Sequence, residues 1–440
     1  VSALPLARPL QVRMPRCLLD PALQTLPRAD QEGLVAVQID HAAGLVRAIQ
    51  PLAPGGDGDP LPLALTPLVE PHAHLDKAFT GALFPNWEGT IAEALAQNQR
   101  EHGQRSEAQV LARAEAALER GWRYGLRAMR THIDSGGPGA QASWQALLAL
   151  RQRWQGRVDL QLVALVPLLY WLSPEGKAFA RQVADWGGLL GGVLWPPYGG
   201  SALAEQEALA ALLVLAEQGG CGVDLHVDES DRQPGRGVAL VARLALEQRS
   251  MVPITCSHSC SMGLLGERAL DRLADQMAAA GLGVVALPIT NQWLLGRRPG
   301  QTPVQRAQAP IRNLQRAGVT VAVGADNLQD PWFPGGDGDP IELLRFALPA
   351  CHLVPIQRQG LAPFTTAPSA LLGLAWDGVL RVGGPADLVV LAARGWAELL
   401  ARCPQRRVLR AGQWLEPPGA EQPSPLLAGL LAGTMAAAGA

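Results

Sequence analysis

The chain is 440 residues long, with a formal net charge of −2, 48% hydrophobic residues and 17% charged ones. That length accommodates a large core plus a second small domain. The charge balance leaves no basic footprint for nucleic acid or an acidic membrane, and the composition excludes a disordered chain. The six cysteines (Cys17, Cys221, Cys256, Cys260, Cys351, Cys403) are scattered without a CxxC pair, so neither a disulfide framework nor a zinc ribbon is expected. Cys256 and Cys260 read as soft packing residues around His258. Lys77 and Lys177 are the only lysines; every other basic residue is arginine.

In chain order, the opening VSALPLARPLQVRMP lacks the continuous apolar run of a secretory signal. Residues 1–64 read as short strands and turns, including GLVAVQI and GLVRAI, and so do residues 377–420, with ADLVVLA and RRVLRAGQWL. A small β-sandwich domain assembled from both chain ends is expected. The heptapeptide PGGDGDP occurs at 54–60, where it reads as a turn, and again at 334–340 with unmatched flanks, so it signals no internal duplication.

Residues 65–376 alternate between β-type runs and helical patterns. The strands are expected at 67–72, 126–133, 159–166, 189–195, 221–227, 251–258, 281–288 and 318–326. Helices are expected at 107–121, 141–154, 203–217, 238–248, 264–280 and 305–317. Near-continuous apolar strands separated by helices indicate a parallel sheet covered on both faces. Eight such repeats predict a (β/α)8 TIM barrel. The tail 421–440, ending LLAGLLAGTMAAAGA, is apolar but too short and glycine-broken to span a bilayer. A cytoplasmic protein is expected, with no nucleic-acid or membrane partner; a homo-oligomer stays open.

Ionisable residues gather at the predicted strand ends. The first strand ends in VEPHAHLDK with His72 and His74, the second with His132 and Asp134, the fifth with His226, Asp228 and Glu229, the sixth with His258, and the eighth with Asp326. Five of the eight histidines fall there, whereas His41, His102 and His352 do not. In a barrel these ends share one site. His72, His74, His226 and Asp326 together offer three imidazoles and a carboxylate, a set that suits one divalent zinc or iron ion and not calcium or magnesium. Such an ion makes water a usable nucleophile near neutral pH. Glu229 is then free to shuttle a proton to a leaving nitrogen, and His258 to orient the water.

HAHLDK, HVDE and GADNLQDPW, in this order, resemble the metal-dependent amidohydrolase superfamily, within it the cytosine deaminase-like branch. The resemblance runs from Pro67 through Trp332 and on into GGPADLVVL at 383–391. It implies a barrel plus a β-sandwich from both ends, with His72, His74, His226 and Asp326 as metal ligands. It also implies Glu229 as the proton-shuttling acid, His258 beside the water, and Asp326 as the base that takes the water's proton. The lysine that bridges two metals in related enzymes is missing from the fourth strand, LLGGVLWPP, so one metal is expected. The glutamine that reads a pyrimidine edge in this branch is missing from VALVPLLYW (163–171), and Asn327 stands where the branch carries a second acid.

Candidate substrate-binding residues are Lys77, Asn291, Asn327 and Trp332, with Gln292 beside Asn291. Three have a plainer reading: Lys77 as a surface lysine, Asn291 as a turn residue, Trp332 as the closure of the barrel top. His132 and Asp134 read as supports behind the ligands. The expected activity is hydrolytic deamination of a cyclic amidine or amino-substituted nitrogen heterocycle, releasing ammonia. The alternatives are hydrolysis of another C–N bond, by cyclic amide opening or N-alkylamine removal, and a catalytically silent binding protein.

Overall fold

The computed structural model describes residues 9–23, 25–52, 61–196 and 201–416. The first PGGDGDP copy and the apolar tail lie outside them. The described strands are β1 (Leu10–Pro15), β2 (Leu34–Ala42), β3 (Leu45–Pro51), β4 (Leu63–Leu65), β5 (Leu68–Ala73), β6 (Leu126–Asp134), β7 (Asp159–Leu165) and β8 (Leu189–Leu194). They continue with β9 (Val223–Val227), β10 (Ile254–His258), β11 (Gly283–Ala286), β12 (Thr320–Val323), β13 (Leu388–Leu391), β14 (Arg406–Arg410) and β15 (Gln413–Trp414).

Strands β5 to β12 pair in sequential order, all parallel. The two edges meet where Ala73 bridges Asp326 and the Asp326 N–H donates to His72 O at 3.0 Å. The buried Glu70 carboxylate stitches the same seam, accepting from the His72 and Ala325 backbone N–H groups at 3.0 Å. This is the expected (β/α)8 barrel, and each of the eight predicted strands overlaps one of its strands. Most apolar strand residues are buried against the surrounding helices in one large core, while Val69 with Ala128 and Val285 with Ala322 form two small clusters of their own. Alternate residues of a strand share a face, and on several strands one face is polar: Glu70 and His72 on β5, Arg130 and His132 on β6, Asp224 and His226 on β9, Thr255 and Ser257 on β10. Asp224 ties three of these strands together. Arg130 donates to Asp224 at 2.8 Å, and the Ser257 hydroxyl donates to Asp224 at 2.7 Å.

Both chain ends supply a second, seven-stranded sheet in the order β15-β14-β13-β4-β1-β2-β3. Strand β4 joins its halves, pairing parallel with β1 and antiparallel with β13. The sheet buries a core of its own that includes Val12, Met14, Val37, Ile39 and Leu388.

Two helices follow β5, α1 (Ile91–His102) and α2 (Glu107–Arg123). Thr90 caps α1 by accepting from Glu93 N, and Ser106 with Gln109 forms a capping box on α2. Of these, α1 was not expected from the sequence. The helix expected at 305–317 begins only at Ile311, because Pro310 supplies no N–H to a turn before it. The second PGGDGDP copy turns through Gly336 and Gly338, both at positive φ, and its Asp339 caps the helix Pro340–Ala350. Among the described residues no helix is long and apolar enough to cross a membrane.

Candidate active site

The polar strand ends open into a cavity of about 850 Å3. On its floor, Asp326 Oδ1 lies 3.4 Å from His72 Nε2 and 3.3 Å from His74 Nε2, and His226 Nε2 lies 3.3 Å from His74 Nε2. All four residues are buried. Asp326 and His258 reach inward from left-handed backbone, at φ 70° and 67°. That conformation costs a non-glycine residue about 1–3 kcal/mol, and it persists only where the surroundings impose it. At Asp326 the imposing contact is the barrel seam just described.

The state of the imidazoles follows from their surroundings. His72 Nδ1 sits 2.9 Å from Ser257 Oγ, whose own proton goes to Asp224. Nδ1–H therefore donates to the serine, and Nε2 is left with a lone pair facing the cluster and no hydrogen-bond partner. Burial pushes His74 and His226 below the ordinary histidine range, so both are neutral near pH 7. Burial alone would raise Asp326, yet its carboxyl lies well below the usual range.

A neutral imidazole cannot share a hydrogen bond with two others and a carboxylate at once, but a cation can sit among all four. Donors about 2.0–2.1 Å from a tetrahedral metal lie roughly 3.3–3.4 Å from one another. The three separations above match that spacing, and His72, His74 and His226 lie close enough together to hold a metal ion, as do His72, His258 and Asp326.

Glu229 and His258 flank this cluster, with His258 Nε2 3.6 Å from Glu229 Oε2. Burial, then the charge on Asp326, pushes Glu229 well above the ordinary glutamate range. Its Oε1 has no partner among the described residues. Burial lowers His258 to about 3. Asp228 buttresses the end of β9, accepting from Gly237 N at 2.9 Å and Val238 N at 3.0 Å. A Cβ at Gly237 would lie 2.7 Å from Asp228 Oδ1, so only glycine allows the approach.

The remaining sequence candidates divide. Lys77 is no surface lysine: it is 2% exposed, lines the cavity, and places Nζ 2.9 Å from both Asp134 carboxylate oxygens. Burial opposes its charge, but Asp134 and Asp76 hold its pKa above the usual value. Asn327 and Trp332 also line the cavity. The Asn327 amide is engaged in the wall, accepting from Thr290 at 3.0 Å and donating to Asp330 at 2.9 Å. Asn291 and Gln292 are not among the lining residues; Asn291 stands behind His258, with Nδ2 3.0 Å from the ring Nδ1. His132 stacks on His72 with ring centroids 3.9 Å apart.

Sequence reading missed four polar or aromatic parts of the wall: Trp195, Glu205, the Asn98–Gln99 pair of α1, and His102. The Trp195 ring stands 6.1 Å from His226 and 6.3 Å from His258. Its signal was present in the sequence, since it directly follows the fourth barrel strand. Where the branch's glutamine was absent, Leu165, Val166, Pro167, Leu168 and Leu169 form an apolar wall.

The chain belongs to the amidohydrolase family, whose model matches residues 80–414. It is 34% identical over 399 residues to a pterin deaminase of Rhizobium rhizogenes (strain K84 / ATCC BAA-868), a match covering 88% of this chain and 89% of that protein. It is 23% identical over 375 residues to an N-isopropylammelide isopropyl amidohydrolase of Pseudomonas sp. (strain ADP), covering 82% and 83%. Among solved structures, 5-methylcytosine deaminase from Klebsiella pneumoniae with 5-fluorocytosine superposes with a TM-score of 0.79 at 27% identity, over 94% of this chain and 98% of that one.

Proposed function

We propose that this chain hydrolytically removes the exocyclic amino group of a nitrogen heterocycle, releasing ammonia. The observation that carries the reading is the buried cluster of His72, His74, His226 and Asp326 on a cavity floor, with Glu229 and His258 at its edge. The names of the relatives, a pterin deaminase and a 5-methylcytosine deaminase, support the same chemistry. In our reading His72, His74, His226 and Asp326 would hold one zinc or iron ion, whose Lewis acidity would make a water molecule nucleophilic near neutral pH. Asp326 takes the water's proton. Glu229, pushed well above the ordinary glutamate range by burial and by the charge on Asp326, gives a proton to the departing nitrogen as the C–N bond breaks and the ring carbon gains oxygen. His258 holds the attacking oxygen in place, with Asn291 fixing the imidazole from behind. Lys77, Asn327 and Trp332 bind the substrate. The six cysteines are all free, which suits a reducing compartment, and the cytoplasm is the setting we propose.

A panel of amino-substituted pteridines, pyrimidines and triazines, scored for ammonia and for alkylamine release, tests the reading. Ammonia release that falls about 100- to 10,000-fold in Glu229→Gln supports it. Alkylamine release alone would move the reaction to the chemistry of the N-isopropylammelide relative. Undiminished turnover in Glu229→Gln would remove Glu229 from the mechanism.

A further inference from the structure

We propose that Asp224 and Ser257 are positioning residues: together they lock His72 in the tautomer whose Nε2 lone pair faces the cavity floor, and metal affinity depends on that lock. The inference rests on the metal cluster of the reading above and deepens it. His72 is the member shared by the two floor sets close enough to hold an ion, one with His74 and His226, the other with His258 and Asp326. It also differs from its neighbours. The Nδ1 atoms of His74 and His226 have no hydrogen-bond partner among the described residues, whereas His72 Nδ1 lies 2.9 Å from Ser257 Oγ. Beyond the serine, Asp224 Oδ1 accepts from the Ser257 hydroxyl at 2.7 Å, and Asp224 Oδ2 accepts from Arg130 Nη1 at 2.8 Å. His72, Ser257, Asp224 and Arg130 are all buried, so bulk water does not reach this chain of bonds.

Counting donors gives the chain of bonds a direction. A guanidinium only donates and an ionised carboxylate only accepts. Arg130 and Ser257 therefore each donate to Asp224, and the serine has no second proton to offer. Its oxygen can only accept from His72 Nδ1–H, which leaves the lone pair at Nε2, 3.4 Å from Asp326 Oδ1. The barrel ladder holds the parts in place. Asp224 and His226 alternate on β9, as Thr255 and Ser257 do on β10, and the register pairs Asp224 with Thr255 and His226 with Ser257. The strand that supplies one ligand thus also supplies, two residues earlier, the carboxylate that orients another. Removing the outer partner of a ligating histidine weakens metal affinity about 10- to 100-fold.

The direction can be reversed without changing the shape of the site. In Asp224→Asn, Arg130 still needs an acceptor, so the amide oxygen faces it and the amide NH2 turns to Ser257. The serine oxygen then accepts, and its proton points at His72 Nδ1. The imidazole must carry its own proton on Nε2, where it blocks coordination. Ser257→Ala, by contrast, removes the lock without reversing it.

The test titrates the metal-free full chain with zinc against a competing chelator. Affinity is expected to weaken about 10- to 100-fold in Ser257→Ala and at least about tenfold further in Asp224→Asn. Adding Ser257→Ala to Asp224→Asn is expected to restore affinity to that of Ser257→Ala alone, a rescue that general damage to the barrel does not produce. Nitrogen NMR of the imidazole whose signals vanish in His72→Gln is expected to place a proton on Nδ1 in the wild type and none there in Asp224→Asn. Zinc affinities unchanged in both single variants, or a double variant no better than Asp224→Asn, overturn the proposal. Should Asp224→Asn not fold, Ser257→Ala decides: weaker zinc binding with loss of the Nδ1 proton supports the lock, and an unchanged affinity or proton overturns it. A wild type that binds zinc no better than His226→Ala would sink the metal reading separately. The Nδ1 proton then decides the lock alone, and its persistence in Asp224→Asn overturns it.

Discussion

The two sides of the cavity are built on different principles. The floor is made of strand-end residues whose positions are fixed by the barrel's hydrogen-bond ladder: His226, for example, is in register with Ser257 on one side and Val193 on the other. The outer wall is made of a helix and loops held in place by side-chain ion pairs. Arg105 is its centre, bonding Asp76 at 2.7 Å, Glu101 at 3.0 Å and Ser143 at 2.9 Å, while Arg113 reaches Glu101 at 2.6 Å. Asp76, the aspartate of HAHLDK, also accepts from Asp134 N at 2.9 Å, which joins this network to the floor. On the proposed function, reaction class resides in the ladder and substrate choice in the wall, so the first can persist while the second changes.

The largest effect should come from the floor. His226→Ala removes one of four donors and leaves the ladder and the wall intact. Metal measured by mass spectrometry should fall below about 0.1 ion per chain after dialysis, and turnover should drop at least about 1,000-fold. Binding of the substrate should weaken far less, because Lys77 and the rest of the wall are untouched. Retention of a full metal equivalent would show that His226 is not a ligand and would erase the contrast between the two sides.

The same contrast explains what could be read from sequence. The floor was legible because strand ends carry their function in a local pattern: HAH, THID, HVDE and TCSH put polar residues at alternate positions of otherwise apolar runs. The topology then brings those ends together without further information. The wall was not legible. IAEALAQNQREH looks like any solvated helix, and nothing in it indicates that Asn98 faces a cavity while Glu101 is 2% exposed. That depends on Arg105, in the turn before α2, reaching Asp76 from another part of the chain. Lys77 was ambiguous for the same reason, since its partner Asp134 stands 57 residues away.

A middle-sized effect should come from cutting the wall at Arg105. Arg105→Leu leaves the buried Asp76 carboxylate without its arginine and Glu101 with Arg113 alone, which destabilises by about 3–5 kcal/mol in urea unfolding. Because α1 carries part of the cavity wall, KM should rise more than kcat falls, and bound metal should stay near one per chain. Metal loss in step with stability would instead mean that floor and wall fold as one inseparable unit.

The smallest effect should lie at the join, at Asp330. Its carboxylate accepts from Asn327 Nδ2 at 2.9 Å and Trp332 N at 2.8 Å, so it supports two residues of the wall next to Asp326. Burial raises its pKa to about 7 against an ordinary 3.8, and the Lys77 charge only partly offsets this. A carboxyl whose folded pKa is raised binds its proton more tightly in the folded state. Its contribution to stability is therefore complete below about pH 3.8 and is lost as pH rises through about 7. Asp330→Asn cannot lose it, so the wild type should lose stability relative to the variant between pH 5 and 8, by on the order of 1–3 kcal/mol. Denaturation midpoints across that range, at constant metal content, measure the difference. A flat difference would mean that Asp330 is charged throughout, held so by a cation at the floor. In that case the join, too, would be governed by the metal side of the cavity.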